Sequence, residues 1–95
     1  MSGAGKPTRM IDNERVQVTR WTFAPLAATG WHRHEFDYVI VPLMNGTLKI
    51  VECGEEKPVA LTQGVPYFRN AGVEHDVIDA NAHDYEFIEI EIKHP

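Results

Sequence analysis

The chain is short of cysteine, of basic residues and of long apolar runs, and each shortage excludes something. Cys53 is the one cysteine, so no internal disulfide can form. Nine Lys and Arg stand against 14 Asp and Glu, a formal charge of −5, with the acidic residues scattered and not gathered in a tail. Nucleic acid and anionic membrane both require a basic patch, so neither is expected as the main partner. The longest apolar run, Tyr38 to Met44, contains Pro42 and is far shorter than the ~20 residues that span a bilayer. The N-terminus lacks the apolar core of a signal peptide, and the expected location is cytoplasmic. Helical periodicity is also missing: no stretch repeats at 3.6 residues for long enough to bury a stripe.

What is present is a series of short β-branched and aromatic runs punctuated by turns. Residues 1–13 begin with small and polar residues that offer little to a core and are expected to form a flexible N-terminal arm. Residues 14–95 then form one domain. Val16 to Phe23 reads as a strand, followed by the segment around His32 and by Phe36 to Leu43, with Asn45-Gly46 as a hairpin signal and Thr47 to Glu52 as its return. Further strands are expected over Pro58 to Leu61, Val65 to Arg69, Glu74 to Ala80 and Tyr85 to Lys93. Strands recurring about every ten residues indicate an all-β sandwich or barrel. In the last strand Ile88, Ile90 and Ile92 alternate with Glu89 and Glu91; the isoleucines are expected in the core and the glutamates in water. A 95-residue chain has a limited core, and a homodimer that covers the edge of Val16 to Phe23 is expected.

The chain is organised around Gly30-Trp31-His32-Arg33-His34. On a strand, residues i and i+2 share a face, so His32 and His34 can reach one ion. A third histidine follows in Gly64-Val65-Pro66-Tyr67-Phe68-Arg69-Asn70-Ala71-Gly72-Val73-Glu74-His75. With these two segments the sequence resembles the cupin superfamily, over roughly residues 14 to 93. The family's first motif finds His32, His34 and Gly46, with Val39 at its glutamate position. Its second finds Gly64, Gly72 and His75, with Asn70 in place of a proline and Asp79 in place of an asparagine. Within the superfamily the runs Trp-His-Arg-His, Asp-Tyr-Val-Ile-Val-Pro-Leu and Gly-Val-Glu-His-Asp-Val-Ile are similar to the small single-domain BauB-like cupins of β-alanine degradation.

The resemblance implies a jelly-roll β-barrel in which His32, His34 and His75 meet as ligands of a divalent transition metal. Imidazole accepts Fe, Ni, Zn, Mn or Cu alike, so the ligand set does not choose the ion. Without the fourth, carboxylate ligand, three neutral imidazoles leave a formal +2 on the ion, which favours Lewis-acid chemistry. Asp37, Tyr38, Val39, Tyr67 and Arg69 are candidate pocket-lining residues. Asp37 is either an inward carboxylate or a turn partner, and Arg69 either a carboxylate anchor or an ordinary strand arginine. His83 and His94 are expected at the surface, and Cys53 as a buried or edge thiol without a catalytic role. The implied function is a metal-dependent enzyme of oxygenase, isomerase or lyase type acting on a small organic acid. The alternative is a barrel that binds or senses a small metabolite without catalysis, with or without metal.

Overall fold

The computed structural model describes residues 3–93; His94 and the first two residues of the expected arm lie outside them. Among the described residues there are nine strands and no helix. One sheet has five strands: β1 (Lys6–Asp12), β2 (Val16–Phe23), β9 (Tyr85–Ile92), β4 (Asp37–Pro42) and β7 (Tyr67–Arg69), side by side in that order. The other has four: β3 (His32–Arg33), β8 (Glu74–Asp79), β5 (Gly46–Glu52) and β6 (Glu55–Leu61). Every strand pairing is antiparallel. The two sheets form an all-β jelly-roll domain around Phe23, Tyr38, Ile40, Leu48, Tyr85 and Phe87.

Four details differ from expectation, each for a physical reason. Residues 6–12 are not a free arm: β1 pairs with β2 from Lys6↔Thr22 to Asp12↔Gln17. Its side chains are exposed throughout, so main-chain hydrogen bonding holds it and the side-chain pattern carries no signal. That strand also covers β2, which lies between β1 and β9 and is not an edge.

Asn45-Gly46 does not close a hairpin, because β4 and β5 belong to different sheets. The glycine is needed for space: a Cβ there would lie 2.5 Å from the Tyr85 ring. The true tight hairpin is Cys53-Gly54 between β5 and β6, where both residues have positive φ, 53° and 75°.

The largest reversal is in β9. Tyr85, Phe87 and Glu89 face inward, while Ile88, Ile90 and Ile92 lie on the outer face of the five-stranded sheet. Phe87 stacks on Phe23 with ring centroids 5.5 Å apart, and Tyr85 is fully buried. Two aromatic rings remove more apolar surface from water than the isoleucines, and strand parity then carries Glu89 inward with them.

Candidate metal centre

Two short segments meet to build the centre. β3 pairs with β8 so that His32 stands directly opposite His75. His34 follows β3, and its backbone is tied to the turn before β8 by His34 N–H to Val73 O (2.9 Å) and Gly72 N–H to His34 O (2.8 Å). Gly30, at φ +86°, makes the turn into β3 and is fixed by its N–H to Asp76 Oδ1 at 3.1 Å. The same turn aims His32: Nδ1 lies 2.8 Å from Gly30 O, to which it donates, leaving Nε2 with its lone pair outward.

The three Nε2 atoms converge. His32 to His34 and His34 to His75 are each 3.0 Å, and the ligand atoms of all three lie within 4.8 Å of one another. Metal–imidazole bonds of about 2.0–2.1 Å place cis ligands about 2.9–3.4 Å apart, so this spacing fits one ion. Protons serve it less well, because His32 Nε2 can only accept once Nδ1 donates, and His34 Nε2 cannot satisfy two neighbours. Burial, with the fields of the neighbouring histidines and Arg69, lowers the pKa of His34 to about 3. Burial, His32 and Arg69 lower that of His75 to about 4. Both are therefore neutral at pH 7, the form that binds metal.

His75 Nδ1 is buried without a hydrogen-bond partner, and Glu52 Oε1 stands 4.0 Å away. Glu52 is in turn gripped by Arg69 Nη2 at 3.0 and 3.2 Å. Arg69 is thus engaged by a carboxylate of the protein itself, and Glu52, which sequence reasoning missed, sits behind a candidate ligand where it can orient it.

Of the other candidates, Tyr38 and Tyr67 line the inner end of the site beside His75. The Tyr38 ring stacks on His34, centroids 3.8 Å apart, and burial pushes both phenols upward, Tyr67 to about 12. Val39 is a correction: strand parity sends it to the outer face, paired with Phe68 and Ile90, and Tyr38 takes the inward position. Asp37 accepts the Ala71 N–H at 2.8 Å and so serves the turn. Asp79 is fully buried and accepts from Asn81 N–H and Nδ2 at 2.8 and 2.7 Å. His83 bonds Asp84 O at the surface, and Cys53 is exposed in its hairpin.

A cavity of about 350 Å³ opens beside the histidines, walled on its far side by Gln17 and Trp21 from β2 and Glu89 and Glu91 from β9. Glu89 is only 9% exposed, and burial, then the field of Glu91, raises its pKa to about 7. Its inward side was the one the glutamate–isoleucine alternation concealed; the aromatic pair Tyr85 and Phe87 at the same parity was the available signal.

The β-alanine degradation protein BauB of Pseudomonas aeruginosa is 53% identical over 87 residues, 92% of each chain. The crystal structure of a cupin domain from Bordetella pertussis Tohama I is 47% identical, with a TM-score of 0.96 over 99% of this chain and 98% of that one. The chain is a small cupin related to BauB. An RmlC-like cupin of double-stranded β-helix fold from Methanocaldococcus jannaschii, 14% identical, shares the fold at a TM-score of 0.80 over 97% of this chain and 83% of that one. No family model matches the sequence. In this cupin a buried tyrosine therefore stands on the inward face of β4 where the motif register had pointed to Val39.

Proposed function

We propose that this cupin is a metal-dependent enzyme acting on a small organic acid, with His32, His34 and His75 holding one divalent transition metal, Fe, Ni, Zn, Mn or Cu. The observation that carries the reading is the convergence of three Nε2 atoms at 3.0 Å steps, two of them on buried histidines. The ion would supply Lewis acidity, undiminished by any carboxylate among these three ligands. The chain supplies the rest: Gly30 orients the His32 imidazole, Glu52 stands 4.0 Å behind that of His75, Tyr38 backs His34, and the adjoining cavity has room for a small molecule. The name of the Pseudomonas relative, a β-alanine degradation protein, supports a small acid as substrate.

Elemental analysis of tag-free protein, paired with a metal-dependent assay for turnover of small acids and dioxygen uptake, tests the reading. Stoichiometric metal with turnover supports it. Metal with a retained ligand and no turnover favours a binding or sensing role, a reading that the uncharged Tyr38 in place of a ligating carboxylate also supports. No metal at all ends it.

We also propose a homodimer formed through the outer face of the five-stranded sheet, not through the edge of β2. Val18, Val39, Ile88 and Ile90 lie together there, extended by Ile11, Phe68 (53% exposed) and Ile92. The Arg20–Glu86 ion pair at 2.8 Å puts both signs of charge beside the patch, so a two-fold copy need not meet like charge.

A further inference from the structure

The cavity wall opposite the histidines carries two carboxylates, while the cation that lines the same cavity, Arg33, comes from β3 beside His32. Glu89 and Glu91 stand at alternate positions of β9 and line the same cavity. Gln17 Nε2 holds Glu91 at 3.0 Å, whereas no well-formed hydrogen bond from a described residue reaches the carboxyl of Glu89, itself nine-tenths buried. A buried carboxylate costs several kcal/mol unless a charge or donor meets it, and its neighbour on the strand is another carboxylate. Arg9, the nearest cation on β1, is occupied with Thr19 Oγ1 at 3.0 Å and Asp12 at 3.6 Å.

Two further polar groups near this wall make no well-formed hydrogen bond. The hydroxyl of Tyr38, on a residue 2% exposed, is buried and unbonded, and Tyr38 lines the inner end of the site together with Glu89. The indole N–H of Trp21, a donor without a well-formed bond, acts on the Glu89 carboxylate, and the Trp21 ring lines the cavity on the same side. Two carboxylates and the face of an aromatic side chain form a set that receives an ammonium group. A volume of about 350 Å³ limits the occupant to a small molecule.

We propose that this cavity takes a small acid carrying a protonated amine, with the ammonium group against Glu89 and Glu91 beside Trp21 and the acid end toward His32 and His34. Placing the acid end rests on the metal reading above; placing the ammonium end does not.

Calorimetric titration of the nickel-loaded full chain with 3-aminopropionate and with propionate reads the amine directly. The expected result is tighter binding of 3-aminopropionate by about tenfold or more, reduced to within about threefold in Glu89→Gln with propionate affinity kept. Glu91→Gln, whose side chain is less buried, provides a second variant in case the first fails to fold. Equal affinity of the two probes for the wild-type chain, no binding of either, or a preference that survives both variants would overturn the proposal. If the chain takes up no nickel, the metal reading fails, and propylamine against propanol on the metal-free chain tests the wall by itself. Tighter propylamine binding that is lost in Glu89→Gln supports the ammonium site; equal or absent binding sinks it.

Discussion

Tyr38 lies flat against the imidazole of His34, ring centroids 3.8 Å apart and planes 16° from parallel. The contact identifies which residue of β4 faces the histidines, and it reassigns the place where a carboxylate ligand could be introduced. Tyr38→Glu is expected to tighten divalent metal binding, on the order of tenfold, while lowering metal-free stability by about 3–5 kcal/mol through loss of a fully buried ring. Val39→Glu is expected to leave metal affinity unchanged. Metal titration and thermal melts of both variants check this; tighter binding in Val39→Glu alone would contradict the register.

Single alanine substitutions at His32, His34 or His75 are expected to lower metal affinity at least about a hundredfold, since each removes one of only three ligands. His83→Ala should retain full metal content, because its Nδ1 is engaged with Asp84 O outside the cluster. Elemental analysis after dialysis distinguishes the two classes.

The metal-free chain is expected to lose stability as pH falls from 7 to 5. His34 and His75 have pKa values depressed to about 3 and about 4, so across this range the unfolded chain takes up protons that the folded chain refuses. Glu89 acts in the opposite direction: raised to about 7, it binds its proton in the folded state before it would when unfolded, and so adds stability as pH falls. Two groups outweigh one, giving a net fall, and Glu89→Gln should make the fall steeper. Melting temperatures at pH 7, 6 and 5 in the presence of a chelator measure both slopes; a shallower loss in the variant would reverse the sign assigned to Glu89.

How much of this was legible in the sequence depends on which physical term decided each feature. The His-x-His parity and the distant third histidine were readable, because side-chain period and motif spacing are local properties. The all-β class was readable from turn punctuation. The inward face of β9 was not: alternation of Glu89 with Ile90 shows that two faces exist, and only the packing of Phe87 on Phe23 decides which one is buried. Glu89 was missed for the same reason. β1 was missed because exposed Lys6 to Asp12 pairs through its backbone, to which side-chain patterns are blind. The Val39 assignment failed by a single residue, enough to exchange the two faces of a strand.

For the assembly, light scattering at micromolar concentration is expected to give twice the 10.8 kDa of one chain, 21.6 kDa. Phe68→Asp is expected to shift this to the single-chain mass while costing little intrinsic stability, since the ring is already more than half exposed in the protomer. A wild-type mass of 10.8 kDa would remove the proposed pairing.

Cys53 occupies a left-handed conformation, φ 53°, ahead of Gly54. Asparagine tolerates that region better than cysteine and gives the Asn-Gly pair favoured in this turn. Cys53→Asn should therefore stabilise by about 0.5–1 kcal/mol, a rise of a few degrees in Tm, without altering metal content. Differential scanning calorimetry measures the gain.

The direct pairing of His32 with His75 spans 43 positions of sequence (75 − 32) and depends on a β3 of only two residues. Backbone bonds on either side, such as Thr29 N–H to Val77 O and His34 N–H to Val73 O, extend the seam, whose contacts must offset the cost of closing the intervening loop. An ion shared by these two side chains would act as a clasp across that loop. Its uptake would mark the completion of folding, and chelators should accelerate unfolding of the β3–β8 seam before they disturb the aromatic core around Phe23 and Phe87.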